Sequence, residues 1–129
     1  AGGAASGALR SIGRAVACRE NSQELLERVV DYPKTLTHYH VGWFQETVPA
    51  SAQQVGAIGL LRLDGDWYDS TKTCLEHLMP LVSRGGVVVI DDYGHWPGCR
   101  KAVDEFLGTL DRSPFLNHID SAGRYWIVA

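Results

Sequence analysis

Four aspartates follow two apolar segments of the chain, at the points where those segments end. Asp64 and Asp66 follow the first segment, and Asp91 and Asp92 follow the second. In an open parallel sheet, the carboxyl ends of neighbouring strands line the crevice in which ligands bind. We therefore expect the four carboxylates to lie close together at one end of a sheet.

Carboxylates within a few ångströms of each other repel, so one must take up a proton unless a cation lies between them. Oxygen ligands of this kind select hard cations, and no Cys/His set with zinc-ligand spacing accompanies them. The sequence therefore predicts Mg²⁺ or a similar divalent cation. The alternative is that these acids only cap helices and solvate loop ends.

Three aromatic side chains flank the acids: Trp67 after the first pair, and His95 and Trp96 after the second. Aromatic faces pack well on sugars and on other flat apolar groups. We expect these three residues to form one wall of a substrate site. The alternative is that they pack within their own loops.

The elements that must position these groups alternate along the chain between helical and strand periodicity, which is typical of an α/β fold. Helices are predicted over residues 7–19 and 21–30. A third helix is predicted to begin at Asp69 and Ser70, which are expected to cap it, and a fourth is predicted after Gly98. Strands are predicted over residues 36–44, 58–63 and 87–90, with an antiparallel pair over 115–119 and 124–128.

Composition limits the class of protein. The chain has 129 residues, of which 45% are hydrophobic and 21% charged, as expected for one folded domain over residues 1–129. A net charge of −3 without a Lys/Arg cluster argues against a nucleic-acid partner. No apolar run approaches the roughly 20 residues of a membrane span, and no signal-peptide pattern opens the chain, so we expect a cytoplasmic protein.

From Val41 to Ala129 the sequence resembles the macrocin O-methyltransferase family. These enzymes use magnesium and S-adenosylmethionine to methylate sugar hydroxyls of antibiotics. The resemblance lies in four segments that occur in the family's order: GWFQETVP, LLRLDGDWYDST, GGVVVIDDYGHWPGCRKAVDEF and HIDSAGRYW.

The resemblance implies methyl transfer from S-adenosylmethionine to a hydroxyl of a sugar or similar small molecule. It also implies a role for particular residues: Asp64, Asp91 and Asp92 as metal ligands, Asp66 as general base, and Gly42, Trp43 and Phe44 at the adenosine end of the cofactor.

The fold implied is a truncated, Rossmann-like class I methyltransferase sheet, mostly parallel with a C-terminal antiparallel hairpin. The family's Gly-rich cofactor strand and the strand after it have no counterpart between the predicted strands at 36–44 and 58–63. We expect those two strands to pair directly, or a second chain to cover the exposed edge, because unpaired backbone groups are costly. A homo-oligomer is therefore predicted.

Two other functions remain open from the sequence. A shortened member of this fold can persist as a noncatalytic metal-binding or oligomerising remnant. A receiver-like phosphoacceptor domain also gathers acids around magnesium, but it needs a Lys at a later strand end, and no Lys follows a strand after Asp92.

Overall fold

The computed structural model describes residues 18–129. The chain divides into two compact units, one ending at Val41 and the other running from Gly42 to Ala129. The helix predicted over residues 7–19 lies almost entirely outside the described part of the chain. None of the described helices is long and apolar enough to cross a membrane.

The first unit contains short helical segments. Helix α1 spans Arg19–Glu24 and continues into a π-helical turn, Leu25–Val29, so the helix predicted over 21–30 is present but begins two residues earlier. A 3₁₀ turn follows at Lys34–Leu36.

The strand predicted over residues 36–44 is wrong. After the 3₁₀ turn, residues 37–43 have no regular structure, and helix α2 begins at Phe44. The β-branched and aromatic residues there favour a strand only if a neighbouring strand completes the ladder. Within the described residues none does, so the expected direct pairing with residues 58–63 is also wrong.

The second unit contains the sheet and three further helices. Their bounds in chain order are α2 Phe44–Val55, β1 Ile58–Leu63, α3 Tyr68–Leu78, a 3₁₀ turn Met79–Leu81, β2 Val82–Ile90, α4 Pro97–Gly108, β3 Asn117–His118 and β4 Arg124–Ile127. The predicted strand at 58–63, the helix after Gly98 and the closing antiparallel pair are confirmed. Pro80 lies in the 3₁₀ turn that ends α3, because its ring cannot continue an α-helix.

The four strands of the sheet lie in the order β1-β2-β4-β3. Strands β1 and β2 are parallel, and the other two pairs are antiparallel. The α/β class with a C-terminal antiparallel hairpin is confirmed, although this part of the sheet is mixed rather than mostly parallel. The parallel pair positions the acids that follow its two strands, because its register sets Leu63 beside Ile90.

The hydrophobic core lies on one face of this sheet. Leu61 and Leu63 of β1 and Val88 and Ile90 of β2 alternate onto that face and are buried together with Leu75 of α3. The period of two along a strand places every second residue on the opposite face. Leu60 of β1, on that opposite face, is 64% exposed.

The loop after β2 is attached to the turn of the C-terminal hairpin. The Gly94 N–H donates a hydrogen bond to the Ala122 carbonyl, with 2.9 Å between nitrogen and oxygen. A Cβ atom at Gly94 would lie well inside van der Waals contact of the Ser121 carbonyl oxygen. The absence of a side chain at Gly94 therefore allows the two loops to approach.

We predict that Gly94→Ala destabilises the protein by about 1–3 kcal/mol, because the added methyl group must push the two backbones apart. The measurement is urea unfolding followed by tryptophan fluorescence. Gly108→Ala is the matched control, since no atom lies within 4 Å of a Cβ built at this helical position. That variant should be neutral or more stable by about 0.5–1 kcal/mol. Equal stability of the two variants would contradict the close packing of the loops.

Candidate functional site

The parallel register of β1 and β2 brings three of the four predicted acids together. The Asp91 N–H continues the ladder beyond the last strand residue and donates to the Leu63 carbonyl at 2.9 Å. As a result, Asp64, Asp91 and Asp92 each place one carboxylate oxygen within 4.8 Å of the other two. Asp64 is exposed, and the other two are half-buried.

Arg62, which was not predicted as a site residue, contacts this acidic group. Its Nη2 atom lies 2.9 Å from an oxygen of Asp64 and 2.9 Å from an oxygen of Asp91. Partial burial lowers the pKa of the Arg62 guanidinium, but the hydrogen bond to Asp91 and the charge of Asp64 outweigh that effect and raise it. The spacing of Arg62 and Asp64 could have predicted this contact, because residues two positions apart on a strand lie on the same face.

Asp92 is partly withdrawn from solvent. One of its carboxylate oxygens is buried without a hydrogen-bond partner among the described residues. Burial, together with the charges of Asp66 and Asp64, raises the pKa of Asp92 to about 6. A carboxylate that has a buried oxygen without a partner and also belongs to a group of acids is in an environment that a bound cation relieves.

The three-carboxylate group contains carboxylate oxygens and neither a thiol nor an imidazole. Burial raises the pKa of the Cys74 and Cys99 thiols to about 11. Zinc is held by thiolates and imidazoles, whereas Mg²⁺ prefers carboxylate oxygens. The residues at the strand ends therefore fit magnesium or a similar ion.

Asp66 lies on the loop between β1 and α3 and has a left-handed backbone, with φ of 55°. It does not share in the three-carboxylate group, but its charge helps to raise the pKa of Asp92, so the two side chains are neighbours. Asp and Asn tolerate this conformation better than other non-glycine residues do, because their short polar side chains bond locally.

The same loop is fixed to the start of α3, but not in the way predicted. The N-cap residue of α3 is Trp67, and neither Asp69 nor Ser70 caps the helix. The Ser70 hydroxyl instead donates to the Gly65 carbonyl at 2.6 Å. This hydrogen bond ties the loop that carries Asp66 to the first turn of the helix.

The three predicted aromatic residues meet beside the acids. The ring centroids of Trp67 and Trp96 are 5.6 Å apart, and those of His95 and Trp96 are 5.1 Å apart in an edge-to-face arrangement. The Asp92 carbonyl accepts hydrogen bonds from the backbone N–H groups of His95 and Trp96, which fixes that part of the wall to an acid. Trp67 remains 47% exposed.

The predicted cofactor residues lie at the start of α2. Gly42 has a φ of 148°, and Trp43 is 76% exposed. The Phe44 ring lies where a side chain at Gly65 would begin, 3.2 Å from the position of its Cβ. Phe44 lines a cavity of about 170 Å³ that Asp64 and Gly65 also line. Aromatic surface therefore borders the crevice next to the acids, and the exposed indole is free to stack on a flat ring.

Comparisons with known proteins show which sequences and structures this chain is similar to. The model of the macrocin-O-methyltransferase (TylF) family matches residues 19–127. Demethyldecarbamoylnovobiocin O-methyltransferase of Streptomyces niveus is 44% identical over 85 residues, which are 66% of this chain and 32% of that protein. Mycinamicin III 3''-O-methyltransferase of Micromonospora griseorubida is 40% identical over 85 residues, with the same coverage of both chains.

Solved structures give the same result. The O-methyltransferase NovP has a TM-score of 0.84 and 34% identity, covering 99% of this chain and 52% of NovP. The TDP-rhamnose 3'-O-methyltransferase CalS11 has a TM-score of 0.59 and 32% identity, covering 67% of this chain and 39% of CalS11. The chain spans about a third of the length of the curated relatives it matches. On the family match and these structural similarities, the chain belongs to the macrocin-O-methyltransferase family.

Proposed function

We propose that this chain functions as an S-adenosylmethionine- and divalent-metal-dependent O-methyltransferase that acts on a hydroxyl of a sugar or another natural product. The observation that carries the proposal is the group formed by Asp64, Asp91 and Asp92, in which Asp92 also has a buried oxygen without a partner among residues 18–129. Two relatives act, by their names, on a novobiocin precursor and on a mycinamicin, which supports this acceptor class.

The three aspartates would hold the metal through one oxygen each. When bound, a divalent cation acidifies an alcohol and orients it for attack on the methyl group. Asp66 would accept the hydroxyl proton of the acceptor, since its carboxylate neighbours Asp92 without belonging to the three-carboxylate group.

The aromatic wall and the start of α2 would position the two substrates. Trp67, His95 and Trp96 would contact the acceptor sugar through their ring faces, and Gly42, Trp43 and Phe44 would contact the adenosine end of S-adenosylmethionine. Holding a hydroxyl and a methyl donor in line contributes to the rate without any covalent intermediate on the protein.

The metal assignment predicts that Asp64→Asn and Asp91→Asn each abolish Mg²⁺ binding in calorimetric titration. Stability without metal should change by no more than about 1 kcal/mol, because both side chains are half exposed and their pairing with Arg62 is solvated. Asp111→Asn, which removes an exposed acid, is the control and should bind Mg²⁺ normally. Mg²⁺ affinity equal to wild type in both site variants would contradict the assignment of these aspartates as metal ligands.

The base assignment predicts that Asp66→Asn slows methyl transfer by about 10²–10⁴-fold while Mg²⁺ and S-adenosylmethionine still bind. Asn retains the left-handed backbone at this position, so the substitution isolates the carboxylate from the fold. The assay is transfer of labelled methyl from S-adenosylmethionine to a panel of deoxysugar glycosides, alongside calorimetry with the cofactor. Wild-type protein that binds Mg²⁺ but not S-adenosylmethionine would instead support the noncatalytic remnant.

We further propose that the chain forms a homo-oligomer through the free edge of β1. Within residues 18–129, β1 pairs with β2 alone, and Leu60 of that strand is 64% exposed. A long edge strand with unpaired backbone groups is a template for pairing with a second chain. Light scattering should show a mass that rises with concentration and falls in Leu60→Lys, whereas a monomer at every concentration would exclude this association.

A further inference from the structure

We propose that Arg62 is a built-in counter-ion of the metal centre: its guanidinium bridges Asp64 and Asp91 when no metal is bound, and it competes with the divalent cation for them. The inference rests on the proposed metal site. It assigns to Arg62 a positioning role, and it concerns how strongly the site binds its cation rather than which residues bind it.

The geometry places one cation between two strand ends. A single nitrogen, Nη2, lies 2.9 Å from Asp64 on the β1 side and 2.9 Å from Asp91 on the β2 side. Both distances are those of charge-assisted hydrogen bonds, although all three side chains are about half exposed. Two of the three proposed ligands therefore already have one oxygen engaged by a positive charge.

The alternation of side chains along β1 places Arg62 on the same face as the acids. Leu61 and Leu63 are buried in the core, so the period of two directs Arg62 to the opposite face of β1. Asp64 continues that alternation, and the register with β2 adds Asp91. The backbone thus positions the guanidinium beside the acids, even though the Arg62 side chain is 52% exposed.

The charges indicate what Arg62 does. Among the salt bridges of residues 18–129, Arg62 is the only cation that contacts any of the four acids. Two nearby arginines, Arg100 and Arg124, lie over the Tyr93 ring instead. Without Arg62, adjacent carboxylates would face each other with no positive charge from residues 18–129 in contact with them.

A divalent cation that binds to these acids must share them with the guanidinium or displace it. Two like charges within a few ångströms repel by about 1 kcal/mol or more, even in a watery environment, and more when water is partly excluded. Arg62 therefore lowers the affinity for the cation while it stabilises the metal-free site. Removing its charge should reverse both effects.

The test compares Arg62→Gln with Arg62→Lys by titrating the purified chain with MgCl₂ in a calorimeter and by thermal unfolding with and without Mg²⁺. Arg62→Gln should bind Mg²⁺ about tenfold more tightly, melt at a lower temperature without metal and show a larger rise in Tm on adding Mg²⁺. Arg62→Lys keeps the charge and should lie close to wild type in Mg²⁺ affinity.

Arg112→Gln provides the matched control, because it makes the same change of net charge at an exposed arginine outside the acidic group, and it should leave Mg²⁺ affinity unchanged. Unchanged or weaker Mg²⁺ binding in Arg62→Gln, beside normal binding in wild type, would overturn the counter-ion role alone. Absence of Mg²⁺ binding in wild type and in Arg62→Gln alike would overturn the metal site and the counter-ion role together.

Discussion

The site depends on one structural constraint, the parallel pairing of β1 with β2. Their register sets Leu63 beside Ile90, and one further ladder hydrogen bond, from Asp91 to the Leu63 carbonyl, carries the pairing past the end of β2. Two strands that end at the same level bring their following residues to the same place. The acids therefore meet because the backbone ladder ends there, and the buried side chains of the same strands hold that ladder against the helices.

Around this fixed centre, the other parts of the site come from loops that are tied down individually. The Ser70 hydroxyl ties the loop after β1 to α3, and the Asp92 carbonyl holds the backbone of His95 and Trp96. Gly94 lets the loop after β2 approach the hairpin turn. The acids are thus positioned by the end of the ladder and the aromatic residues by the loops that follow it, and the backbone of Asp92 connects the two.

Much of this arrangement was predictable from the sequence, because it follows from local patterns. The apolar run before Asp64 gives β1 with its observed bounds, and the acids after two such runs give the three-carboxylate group. The strand expected at 36–44 failed because β propensity needs a partner strand, which no local pattern supplies. The caps expected at Asp69 and Ser70 failed because the first turn of α3 is fixed through Gly65, a contact that spacing alone does not reveal.

The left-handed backbone of Asp66 has a consequence for how such a chain changes over evolutionary time. At a φ of 55°, the replacements that leave the backbone unstrained are chiefly Asn and Gly, and neither has a carboxylate. A lineage that drifts at this position can therefore keep its fold while it loses the carboxylate proposed as proton acceptor. If that proposal holds, active and inactive relatives would be separated by one substitution that folding does not select against.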